Sequence, residues 1–313
     1  CFPSQANAGL ITQPCLSGDD DATIGRRLWR NAEDYLDRLD AAWLSNGKAD
    51  LVIRNAIDVL GKGPGRKRIR DWIGNDRPNL LTEVATAAKR WLADECCVFL
   101  ADADLSTERW TPYRNWADSL SPSDTIITFN YDRVLELLIQ SGRDNLLVVD
   151  PEKVNLNNHQ TPVFKLHGSV DWTFNPEENV FSVSNNEAAR KSLPNQFGIA
   201  TPGPSKKQST KLLKLLWSRA LQRLSNAQAA YLLGYGFPET DTEALSAILG
   251  AMWSKRPDPT GVRPWIVLGP DVTDDRIQRV AGIFRHLYNA SEVTLPMYAQ
   301  DFIAIHAMKY PAI

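Results

Sequence analysis

From Thr125 onward, short apolar runs alternate with amphipathic helical segments, and this alternation restricts the fold more than any other feature of the chain. Thr125–Thr128 reads as a strand, Asp132–Ile139 as a helix, and Leu146–Val149 and Val163–Leu166 as strands. A Pro/Asn-rich loop is expected from Asn175 to about Pro204. A helix then runs over Lys211–Leu224, with Leu212, Leu215, Leu216 and Leu224 on one broad face. Strand Ala230–Leu233, helix Thr242–Trp253, strand Trp265–Leu268, helix Asp274–Leu287 and strand Glu292–Leu295 complete the series. Short apolar strands separated by helices pair in parallel and are covered on both faces. The expected class is therefore α/β, a doubly wound and mostly parallel sheet. In such sheets ligands bind beyond the carboxyl ends of the strands.

The chain before Thr125 has a different texture. Asp21–Leu120 reads as helical, with Ile24, Leu28, Tyr35, Leu36, Leu39 and Trp43 recurring at helical spacing and a further helix over Leu80–Leu92. This region is expected to be an α-helical insertion or subdomain. Its tryptophans, Trp29, Trp43, Trp72, Trp91, Trp110 and Trp116, read as core. The basic run Gly61–Arg68 lacks the order of a phosphate loop and reads as a solvated loop. With 43% hydrophobic and 23% charged residues the chain is neither disordered nor fibrous. Thirty-five basic residues against 37 acidic ones leave no bulk charge to argue for nucleic acid. No apolar run is long enough to cross a bilayer. The four cysteines, Cys1, Cys15, Cys96 and Cys97, form no C-x-x-C pair, so no structural zinc is expected, and four thiols without a framework suit a reducing cytoplasm. The sequence opens at Cys1-Phe2-Pro3-Ser4 without a methionine, and the true N-terminus is expected to lie upstream.

Three strand ends carry residues capable of chemistry. Thr128-Phe129-Asn130-Tyr131-Asp132 sets an amide and a carboxylate two apart where a strand gives way to a helix. They can face one cleft, or they can cap the helix. Lys165-Leu166-His167-Gly168-Ser169-Val170-Asp171 ends a strand in a histidine, the natural general base near neutral pH, followed by a glycine that permits close backbone approach. The other reading is a structural histidine, as His159, His286 and His306 are read. Leu233-Gly234-Tyr235-Gly236-Phe237-Pro238-Glu239-Thr240-Asp241 ends a strand in two glycines and opens a helix with an acid. It fits a nucleotide-binding turn, and it also fits a tight turn with Asp241 as N-cap.

Taken in order, T-x-N-Y-D, K-L-H-G and G-Y-x-x-P-x-T-D resemble the motifs of the sirtuin-like NAD-consuming domains of bacterial antiphage defence, over roughly Thr125–Asp274. The resemblance implies a Rossmann-like core over residues 121–313, with residues 21–120 inserted and residues 1–20 a remnant of the N-terminal nucleotide loop. Ala8-Gly9-Leu10-Ile11 is similar to the segment that follows the family's glycine-rich loop, which sets Ser4 near the loop serine; the G-A-G-x-S triplet itself is not found. The implied activity is hydrolysis of NAD+ to nicotinamide and ADP-ribose, with Asn130 and His167 as catalytic residues. Ser4, Thr128, Asp132, Gly168, Gly234, Tyr235, Gly236 and Asp241 would bind the substrate. NAD is implied as substrate, with no metal. A homo-oligomer or a partner defence protein, an ATPase or an Argonaute-like protein, is implied as well; neither a membrane nor direct nucleic-acid contact is. The alternatives are a zinc-free protein deacylase or ADP-ribosyltransferase using the same pocket, and a non-catalytic nucleotide-binding module.

Overall fold

A computed structural model describes residues 93, 96–97, 100, 103–156, 159–184, 192–193, 196–200, 212–235, 242–253, 264–269, 278, 280, 282 and 293–309. The helices expected before Leu92, the basic run Gly61–Arg68, the N-terminal loop remnant, and Cys1 and Cys15 lie outside these residues. So do most of the helix expected over Asp274–Leu287 and four of the six tryptophans read as core.

The described chain has a Rossmann-like α/β fold with parallel sheets and packed helices. A single 3-10 turn, Glu108–Trp110, leads into α1 (Thr111–Ser119), with Pro112 in its first turn where the missing N–H costs nothing. β1 (Ile126–Thr128), α2 (Val134–Gln140), β2 (Leu146–Val148) and β3 (Thr161–Lys165) follow. The three strands form a parallel sheet in the order β1-β3-β2, with Ile126 opposite Val163 and Val148 also opposite Val163. Central β3 is buried at every position, as a strand covered on both faces must be.

α3 (Lys214–Ser225) and α4 (Thr242–Trp253) flank β7 (Ala230–Leu233), which pairs in parallel with β8 (Pro264–Leu268) and, beyond it, β9 (Val293–Pro296). α5 (Ala299–Lys309) closes the described chain. α3 buries Leu216, Trp217 and Ala220 in the core formed with Phe164 and Leu166, while α4 presents Ala244, Ile248 and Met252 one turn apart. Each large apolar side chain so buried contributes roughly 1.5–3 kcal/mol. Leu215 is 50% exposed, which corrects the broad apolar face expected for this helix: the observed stripe is narrower and runs through Leu216 and Trp217 instead. Arg223 at the end of α3 clamps the turn ahead of β1, donating to Thr125 Oγ1 at 2.8 Å and to the carbonyls of Pro122 and Asp124.

Within the loop expected from Asn175 to Pro204, Val180–Val183 and Phe197–Ile199 are strands of a second kind of sheet. β4 (Gly168–Asn175), β5 (Val180–Val183) and β6 (Phe197–Ile199) pair antiparallel in the order β5-β4-β6. The polar residues Ser169 and Asp171 hide β4 from a hydrophobicity reading, because both are buried and partnered rather than solvated. α1 joins two cores: Ala117 packs with Leu138 and Leu146, and Tyr113 and Trp116 lie against Phe302 and Ile303 of α5. Trp110 and Trp116, read as core, are partly buried and pack against these two cores. Burial pushes the Tyr113 hydroxyl up to about 12. Cys96 and Cys97 are buried and packed near Tyr131 and Val170.

Candidate active site

The parallel pairing of β1 with β3 sets the site. Thr128 lies opposite Lys165, and the Leu166 amide donates to the Thr128 carbonyl at 2.9 Å. Two residues beyond Thr128 stands Asn130, and two beyond Lys165 stands His167, so the two occupy equivalent places past neighbouring strand ends. Asn130 is exposed, and its backbone N–H donates to Thr128 Oγ1 at 3.0 Å. His167 is only 5% exposed. The imidazole is enclosed because the Phe129, Tyr131 and Trp217 rings approach it to 4.7, 6.2 and 6.4 Å between centroids. The Trp217 indole N–H donates to the Leu166 carbonyl at 3.0 Å and holds that ring in place.

Phe129 also stacks on Tyr235 with centroids 4.5 Å apart, so the end of β7 meets the ends of β1 and β3 on one ring. Gly234 ends β7 with φ +68°, a conformation that favours glycine; its amide donates to the Val267 carbonyl, and a Cβ there would meet nothing within 4 Å. Gly168, at φ +81°, serves a close approach of the chain to itself: a Cβ would lie 1.9 Å from the Gly198 carbonyl oxygen of β6. Asp132 is buried; its Oδ1 accepts the backbone N–H of Val134, the first residue of α2, at 3.0 Å, in a turn just ahead of the N-cap residue Arg133. Its second oxygen, Oδ2, is buried with no hydrogen bond among the described residues. Ser4, Gly236 and Asp241 lie outside the described residues.

Beneath these residues runs a buried ionic network that the sequence reading missed. Lys165 is 1% exposed, and its ammonium donates to Glu136 Oε1 at 2.7 Å, to Ser169 Oγ at 2.6 Å and to the Asp132 carbonyl. Three protons meet three acceptors, and the Tyr131 carbonyl is within 3.5 Å as well. Alongside, Arg133 Nε lies 3.2 Å from Asp171 Oδ2, and the Val170 amide donates to the Tyr131 carbonyl at 3.0 Å. Burial raises the Glu136 carboxyl above its ordinary range, against the pull of the Lys165 ammonium. The signal was present in the sequence: a lysine between Phe164 and Leu166 in an apolar strand must find buried partners.

Chemically, the strand ends offer an exposed amide, an enclosed imidazole, a carboxylate oxygen without a described partner, and stacked aromatic faces. That set fits a substrate with a flat ring, a carboxamide and ribose hydroxyls. A family model described as SIR2-like domain matches residues 124–281, which spans β1 through β8 and all three motif-bearing strand ends. No curated protein matches the chain significantly. Because the match covers just over half of the 313 residues and includes the strands that build the site, the chain belongs to the SIR2-like domain family and has the NAD-related function of the sirtuin superfamily.

Proposed function

We propose that the protein is an NAD+ glycohydrolase, cleaving NAD+ and water to nicotinamide, ADP-ribose and a proton, and that it depletes NAD as an effector of bacterial antiviral defence. The observation that supports this reading is the placement of Asn130 and His167 at equivalent positions past the paired Thr128 and Lys165, with the His167 ring packed against Phe129. In the reaction the bond between ribose C1′ and the nicotinamide nitrogen breaks, nicotinamide leaves with the bonding pair, and positive charge develops on the ribose. Water adds at C1′ and its proton passes to His167, directly or through a ribose hydroxyl. Asn130 orients that water or hydroxyl, and Asp132 orients the nicotinamide end. Thr128, Gly168, Gly234, Tyr235, Gly236 and Asp241 bind the rest of the dinucleotide, with Ser4 at the pyrophosphate. The aromatic wall keeps bulk water from the charged transition state, where fixed dipoles act most strongly.

The test is incubation with NAD+ alone, then with NAD+ and an acetylated peptide, with nicotinamide measured by chromatography. Release without peptide is the expected outcome. Release only with peptide would make the protein a deacylase, and NAD binding without turnover a nucleotide-binding module.

A further inference from the structure

The Lys165 network has no place in the cleavage just described, and its arrangement calls for one. A buried ammonium is an expensive way to fill a core, since an apolar side chain of similar volume in place of each member of a buried ion pair is often as stable or more so. What an apolar residue does not do is choose one position for the backbone around it. Lys165 binds on two sides. Toward β1 it holds the carbonyl of Asp132, with that of Tyr131 at 3.5 Å, in the loop that begins with Asn130. Toward β4 it holds Ser169 Oγ at 2.6 Å, closing the turn whose middle residue is His167. Glu136, on α2, takes the remaining proton at 2.7 Å and fixes the helix that follows the Asn130 loop.

We propose that Lys165 is a positioning residue of the active site, its ammonium clamping the Asn130 loop and the His167 turn into one fixed spacing. The proposal rests on the glycohydrolase reading for its consequence in turnover, while the clamp itself is a property of the loops.

Three variants test it: Lys165→Met, Lys165→Met/Glu136→Met and Ser169→Ala, each measured for Tm, kcat, KM and amide hydrogen exchange. Lys165→Met alone strands the Glu136 carboxylate and lowers Tm along with kcat. The double variant replaces both charges, recovers Tm, and still turns over about 100-fold more slowly, the loss typical of a misplacement near 1 Å, with KM within about threefold of wild type. Ser169→Ala leaves the ion pair intact and lowers kcat about tenfold at nearly unchanged Tm. A purely structural lysine predicts instead that kcat returns when Tm does; wild-type kcat in both the double variant and Ser169→Ala would overturn the proposal. If the wild-type protein releases no nicotinamide, the glycohydrolase reading fails by itself and exchange decides the clamp. Amides of residues 129–133 and 167–169 that exchange about tenfold faster in the double variant support it, and unchanged rates overturn it.

Discussion

His167 and Asn130 hold equivalent places in neighbouring strands but differ in burial, and that difference separates their variants. Asn130→Ala removes an exposed side chain, so Tm should hold while NAD cleavage falls by about 10²-fold from the lost orientation. His167→Ala removes the base, for a loss of about 10²–10⁴-fold in rate. It also empties a site walled by Phe129 and Trp217, at about 2 kcal/mol of stability. His167→Gln, which fills more of that space, should regain stability without regaining turnover; paired activity and melting measurements check both. Undiminished cleavage in either variant would remove that residue from the mechanism. Gly168→Ala should destabilise by at least about 2 kcal/mol in chemical denaturation, because its φ is +81° and the new methyl would collide with the Gly198 carbonyl. His167 and Asn130 were legible as site candidates because strand-end polar residues beside glycine stand out in a linear pattern. The enclosure of His167 was not, since its walls come from Trp217 and Tyr131, far apart in the chain.

Among elements, α2 shows best how local and distant effects divide. Its first residue is held by a near neighbour, Asp132 Oδ1 on the Val134 N–H, and residue type alone suggested that Asp132 could satisfy a free N–H of this helix. Its inner face is set by a distant strand: Glu136 meets Lys165 of β3. Burial raises the folded-state value of this carboxyl above its ordinary 4.5, so the folded chain keeps the proton to higher pH than the unfolded chain. The stability contributed is complete below the unfolded value and is lost as pH rises through the folded one. Urea denaturation across a pH series beginning below 4.5 should show it: Glu136→Gln, a fixed neutral isostere, gains on the wild type as pH increases, and parallel pH curves would refute the linkage. The parallel strands and their helices were legible as alternating patterns, with bounds close to those observed for Ala230–Leu233 and Thr242–Trp253. The β5-β4-β6 sheet was not, because β4 buries Ser169 and Asp171 against cations and so lacks an apolar signature.

For the whole molecule, the convergence of the β1, β3 and β7 ends on Phe129 means that one ligand should brace both parallel sheets together. NAD at about 100 times its Kd should then add about 2.7 kcal/mol of stability and raise Tm, with no peptide present. The uncleaved ligand is best followed with Asn130→Ala, and an unshifted Tm at saturating NAD would count against a dinucleotide site. The sequence by itself determined the α/β class, the parallel strands and the order of the three motifs, because run length, helical period and strand-end glycines are written within a few residues of one another. Only the tertiary structure decided that β3 lies between β1 and β2, that Lys165 ends among carbonyls and carboxylate rather than in solvent, and that His167 is enclosed. Strand neighbours and the partners of a buried charge come from segments tens of residues away, and their free energy exists only once the chain has brought them together.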